Sequence, residues 1–234
     1  MGKQGGGRKP VGVEAPPGRT GSPLVAEVLA AIAYGERCGA ARALENVRLA
    51  PDARSRAEQR HVADRERQNW ELIEARLREL GDEDMIELFK PYFDAFFEHT
   101  KPGDWIEAQT FHYVGDALVS DFADGLVPLL DRVSAEVVRR ALGDRESQEV
   151  FALDELTRAL RADPTTSERI RRYAQRIVGE AFTQTARALE ATEGLRTLLG
   201  GNEAGKRFIL SLLDSHRQRL DRLGIDPVES SDGE

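Results

Sequence analysis

The chain has 234 residues, 40% of them hydrophobic and 32% charged, and a formal net charge of −8. That length supplies one sizeable core or two small ones. No apolar run nears the ~18 residues that would read as a membrane span, the polar start lacks the apolar stretch of a signal peptide, and a single cysteine, Cys38, excludes a disulfide framework or a cysteine metal cage. A soluble cytoplasmic protein is expected. The acidic balance argues against a dedicated nucleic-acid binder. The excess of arginine, 28 against five lysines, reads as coding bias and carries no functional signal.

Residues 1–21 are rich in glycine and proline and are expected to form a disordered basic tail; residues 225–234 are expected to form a disordered acidic one. Residues 22–224 are expected to make one helical domain, because no segment alternates with period two. The first helix is predicted from about Pro23 to Leu49, with Leu29, Ile32, Ala43 and Val47 on one stripe. Pro51-Asp52 marks a tight turn. A second helix runs to Leu80 with Val62, Ile73 and Leu77 at helical spacing, and Gly81 fits its C-terminal cap. Residues 84–99 form a short amphipathic connector crowded with Phe89, Tyr92, Phe93, Phe96 and Phe97, predicted to plug the end of a bundle. Thr100–Gly103 is a loop. The third long helix starts at Asp104, carries Phe111, Val114, Leu118 and Phe122, and bends or ends at Gly125 and Pro128. The fourth is predicted as one helix from about Ser134 to Ala162. Asp163-Pro164 reads as the cap and first residue of a fifth helix that ends near Gly200-Gly201, and Asn202 opens a sixth that stops at Gly224. Two hairpins joined by a long connector are the layout of an all-α, ferritin-like four-helix bundle with one crossover. Two extra C-terminal helices follow it.

Charges on an inward stripe need a reason. Glu36 lies on the first helix's stripe, seven residues from both Leu29 and Ala43. Glu66 and Asn69 interrupt the second helix's stripe between Val62 and Ile73. Each glutamate lies about 15 residues from the turn, so at a rise of about 1.5 Å per residue the two share one depth. Placement at the stripe edges, paired with arginine neighbours, is the alternative. Glu107 aligns with Phe111, Val114 and Leu118 on the third helix, although Asp104 followed by Glu107 is also a capping-box pattern. Arg145 and Glu149 interrupt the predicted stripe of the fourth. Four inward carboxylates, one per helix, are the skeleton of a di-iron carboxylate site, which takes Glu from two helices and Glu-x-x-His from the other two.

Five stretches carry a resemblance to a known family: Tyr34-Gly35-Glu36, Asp104-Trp105-Ile106-Glu107, Tyr113-Val114-Gly115-Asp116, Val178-Gly179-Glu180-Ala181 and Leu212-Leu213-Asp214-Ser215-His216. In this order the chain resembles the ferritin-like proteins related to the tRNA 2-methylthio-N6-isopentenyladenosine hydroxylase. The resemblance implies a ferritin-like fold and an ancestral di-iron oxygenase site on Glu36, Glu66, Glu107 and Glu149, with a tRNA substrate and a reductase as partners. The ligand pattern departs from that family. Glu66-Arg67-Gln68-Asn69 has asparagine where the family has histidine, and Arg145-Glu146-Ser147-Gln148-Glu149 has none, so Asn69, Arg145 and Gln148 stand at substituted ligand positions. The one literal Glu-x-x-His, Glu58 to His61, lies at another depth and off the stripe, and is expected on a solvated face.

Two functions stay open on the sequence. One is an oxygen-dependent hydroxylase holding di-iron on the four carboxylates. The other is a metal-free relative acting through partner binding or as a homodimer, in which the Arg145 guanidinium supplies the charge that iron once did. Iron storage lacks the ligand set it needs. His112, about 140° round the helix from Glu107, is expected to be a buried or edge histidine, and Cys38 a small core residue. Arg169, Arg171, Arg172 and Arg176 could contact phosphate, but are expected on a solvated face with Glu168 and Glu180.

Overall fold

A computed structural model describes residues 22–143, 145–199 and 203–226. The expected tail 1–21, residues 227–234 of the expected tail 225–234, and the expected stop and cap at Gly200, Gly201 and Asn202 lie outside the described residues, whereas Ile225 is buried in the core. Every regular element among the described residues is helical, and no described helix is long and apolar enough to cross a membrane.

Helix α1 (Pro23–Asn46) begins with proline at its first turn, where the missing N–H is no loss. Asp52 accepts from Ser55 N at 2.8 Å and so caps α2 (Ala53–Leu80), and Gly81, at φ 73°, closes it in the left-handed conformation the sequence predicts. Helix α3 (Met85–His99) is the connector. Its Phe89 enters the core, and Phe96 and Phe97 pack on Phe111 with ring centroids 5.9 and 5.5 Å away.

The third long helix is realised in three parts. Asp104 caps α4 (Trp105–Thr110), a π-helical turn occupies Phe111–Asp116, and α5 (Ala117–Leu126) follows. A 3-10 turn at Val127–Leu129 then leads to α6 (Arg132–Leu142). The single fourth helix expected from the sequence is instead α6 and α7 (Glu146–Ala162), interrupted between them. Arg145 therefore sits at the N-cap of α7 and not on a continuous inner stripe. Helix α8 (Thr166–Ala191) starts later than expected, because Asp163 accepts from both the backbone N–H and the hydroxyl of Thr165 and so organises a turn before the helix. Helices α9 (Gly194–Leu199) and α10 (Glu203–Arg222) complete the C-terminal part.

The α1–α2 hairpin packs along its whole length, α3 lies across α1 and α8, α6 rests on α2, and α7 packs on α4 and the π turn. One apolar cluster centres on Leu29, Ile73 and Leu77, all fully buried; a second joins Phe111, Val114, Leu156 and Ile177; a small third is Ala43, Val62 and Ala63. Each large buried side chain contributes about 1.5–3 kcal/mol. Polar residues are interleaved with these clusters along the chain. Glu36 lies between Tyr34 of the first and Ala43 of the third, and Glu66 between Ala63 of the third and Ile73 of the first. His112 and Asp116 bracket Val114 of the second.

Candidate functional site: a buried arginine–carboxylate network

Glu36 on α1 and Glu66 on α2 are each 3% exposed. Arg145, at the start of α7, places Nη2 on Glu36 Oε1 and Nη1 3.4 Å from the carbonyl of Asp116. Asn69 donates from Nδ2 to Glu36 Oε2 at 2.8 Å, so both oxygens of Glu36 have donors. Gln148, on the first turn of α7, donates to Asp116 Oδ2 at 2.6 Å, and its own amide oxygen accepts from Arg65 Nη2. His112 joins the same group. Its Nδ1 lies 2.8 Å from Asp116 Oδ2 and 2.9 Å from Gln148 Nε2, and its Nε2 meets Gln59 Oε1 at 3.0 Å.

Four elements thus converge: α1, α2, the π turn and the start of α7. The π turn is local chemistry with a consequence. Its i→i+5 bonding is uncommon and tends to mark functional sites, and here it carries both His112 and Asp116.

Glu66 is the outlier. Its Oε2 is buried with no hydrogen-bond partner among the described residues. It occupies the space beside Gly39, where a Cβ would collide with the carboxylate. Burial, then the negative charges of Asp116 and Glu36, push the Glu66 carboxyl well above its usual range, against the opposing pull of Arg145 and Arg65. With Glu66 neutral, the cations Arg145 and Arg65 face the anions Glu36 and Asp116, and the formal charges of these five groups cancel. The Arg145 guanidinium keeps its proton more tightly than usual: burial opposes the charge, but Glu36, Asp116 and Glu66 together outweigh it.

A pH dependence follows. An acid held protonated in the folded state binds a proton that the unfolded chain has released, so its contribution to stability falls as pH rises above about 4.3, the ordinary glutamate value, and continues to fall until the raised value is passed. Glu66→Gln imitates the neutral acid. The variant is expected to match the parent near pH 4 and to exceed it in urea-unfolding free energy at pH 8. Parallel stability profiles from pH 4 to 8 would contradict this.

The remaining candidate residues lie apart. Glu107 accepts from Gly103 N at 2.7 Å while Asp104 accepts from Glu107 N at 2.9 Å, a variant of the capping box in which the carboxylate reaches the residue before the cap, and Arg176 approaches the same carboxylate at 3.6 Å. Glu149, one position past Gln148, is half-buried and faces Arg222 at 3.3 Å. The break before α7 resets the helical phase, so a stripe counted through it from Val138 points Glu149 the wrong way. His61 is exposed, as expected of a solvated face. Arg169 pairs with Asp104 at 2.8 Å, and Arg171 and Arg172 pair with Glu168; Glu180, expected to join that face, instead meets His99 at 2.8 Å. Cys38 is half-buried with its thiol pushed up to about 12, chiefly by desolvation.

The network also holds Gln59 and Arg65, which the sequence does not mark as site residues, and the pair His112 and Asp116, which it does not mark either. Their i, i+4 spacing, together with two amides, Gln59 and Gln148, on otherwise apolar faces, is the signal that could have found them.

An all-α bundle with charged side chains at its centre, drawn from the first helical hairpin and from the segments that follow it, defines a ferritin-like architecture. A family model described as a ferritin-like domain of actinomycetes matches residues 21–202, and the chain belongs to this family. No curated protein sequence matches it.

Proposed function

We propose that this is a ferritin-like protein without a resident metal, in which Arg145 supplies the positive charge at the centre of the bundle and the domain works by binding rather than by oxygen chemistry. The carrying observation is the guanidinium of Arg145 on Glu36. A di-iron centre needs carboxylate oxygens and imidazole nitrogens free to bind cations. In this donor set both Glu36 oxygens accept hydrogen bonds, and both His112 nitrogens have polar partners within 3.0 Å. Two permanent cations, Arg65 and Arg145, stand where two more would have to enter. Asn69 and Gln148, at the substituted ligand positions, are spent as hydrogen-bond donors. The residues do not fit a pair of iron ions, and Glu107 and Glu149, the other two candidate ligands, are engaged elsewhere.

The competing function is the oxygen-dependent hydroxylase implied by resemblance, with a tRNA substrate and a reductase. The orphaned oxygen of Glu66 beside Gly39 is the feature that favours it. Elemental analysis separates the two. Protein grown in iron-replete medium and purified without chelator is expected to be colourless, to hold well under one iron, manganese or zinc per chain, and to melt at the same temperature with and without chelator, since no metal binding energy is linked to folding. Near two irons per chain with a carboxylate-bridged spectrum would overturn the proposal and restore the hydroxylase.

A further inference from the structure

A second feature lies on the other side of the π turn. Helices α1, α3, α5, α8, α9 and α10 enclose a partly open cavity of about 140 Å³. Gly115, one residue before Asp116, forms part of its wall, so the turn that supplies the charge network also borders an apolar chamber. The wall is built largely from aromatic and aliphatic side chains, with Phe93, Phe122, Phe182 and Leu189 among them, and these four are only half-buried. Lysine, arginine, aspartate and glutamate are absent from the lining among the described residues. The polar side chains there are Tyr92, Gln184 and Thr185, and the amide of Gln184 is already donated to Glu180 at 2.6 Å.

From this geometry we infer that the cavity between α3, α5 and α8 is a binding site for a small, uncharged, ring-sized apolar molecule. Size and lining both select this class. An apolar cavity of about 150 Å³ stays dry and accepts a molecule the size of benzene, and a wall without a charged group repays no desolvation of an ionic ligand. The half-buried aromatic rings lose their remaining water contact when the space fills, which is the driving force. Six helices and the π turn meet at the chamber, so occupancy ties the C-terminal helices α9 and α10 to the bundle.

The test uses the full-length protein and a series of probes: benzene, toluene and indole against benzoate and anilinium, with naphthalene as the oversized member. Binding is read by thermal shift and by amide chemical shifts. The neutral single-ring probes and indole are expected to raise the melting temperature saturably and to move the amide resonances of Gly115 and Phe122. The charged rings are expected to do neither, and naphthalene to bind more weakly than benzene. Ala181→Phe, which fills the chamber from its half-buried rim, is expected to weaken benzene binding by at least about tenfold with an unchanged circular dichroism spectrum. Phe122→Ala is expected to admit naphthalene. The inference fails if no neutral ring binds the parent protein saturably, if the charged rings bind equally well, or if naphthalene binds the parent more tightly than benzene. It stands or falls independently of the metal content.

Discussion

Replacing Arg145 with methionine is expected to cost about 3 kcal/mol of unfolding free energy at pH 7, the lower end of the range for breaking a buried ion pair by removing one partner. The lower end applies because the Arg145 side chain is 14% exposed, so water reaches part of it, whereas Glu36 is 2% exposed. The loss falls on the carboxylate left behind. Glu36 would keep the Asn69 amide and nothing to neutralise it, in a site where Asp116 and Glu66 are also close. The double variant Arg145→Met, Glu36→Gln removes both charges together and is expected to recover more than half of the loss, since a buried ion pair and a well-packed neutral replacement are often close in stability. Urea unfolding of the parent, both single variants and the double variant forms the cycle. A loss below about 1 kcal/mol for Arg145→Met, the level of an exposed pair, would show that the cation is not what holds this centre.

The second large effect lies far from the network. Glu27, near the start of α1 and 3% exposed, accepts hydrogen bonds from three consecutive backbone N–H groups: Glu193 at 2.8 Å, Gly194 at 3.1 Å and Leu195 at 2.7 Å. These are the otherwise orphaned donors at the beginning of α9. Glu27→Ala leaves them without an acceptor, the innermost of them buried, and is expected to cost about 2–3 kcal/mol. Glu27→Gln keeps an amide oxygen and is expected to lose roughly half as much, since an ionised acceptor makes about twice the hydrogen bond of a neutral one. Hydrogen exchange would locate the damage: amides of 194–199 should lose protection well before those of α2. Uniform loss throughout the chain would mean that Glu27 supports the whole bundle rather than this one junction.

Most of the helical layout was legible because apolar residues recur with helical period and because Pro23, Asp52 and Gly81 punctuate it. The pairing of Glu36 with the α2 site was legible for the same reason: two regular helices and a short turn preserve depth, and the Asn69–Glu36 hydrogen bond is the direct trace of it. Where regularity failed, so did the arithmetic. Glu107 satisfies two patterns at once, an inward stripe and a capping box, and the local hydrogen bonds to Gly103 and Asp104 took it. Glu149 was placed by counting through Gly143, where the helix stops. His112 is buried, as its place on the helix predicts, but its meeting with Asp116 and Gln148 depends on the π turn, which a uniform 100° per residue does not describe. Arg145 was expected to face the carboxylates and does so, but from a helix terminus, where the interruption between α6 and α7 delivers it.

The π turn gives the long α4–α5 segment a kind of gear shift. A wider turn accommodates one residue more than the α-helical ladder would, and each residue of an α-helix advances the face by about 100°. Were these same residues wound as ordinary α-helix instead, everything downstream would swing by about that angle. Leu118, Val119 and Phe122 would leave the apolar chamber, and His112 and Asp116 could no longer both meet Gln148. One inserted residue thus sets two microenvironments, one saline and one oily, back to back on a single strand of helix.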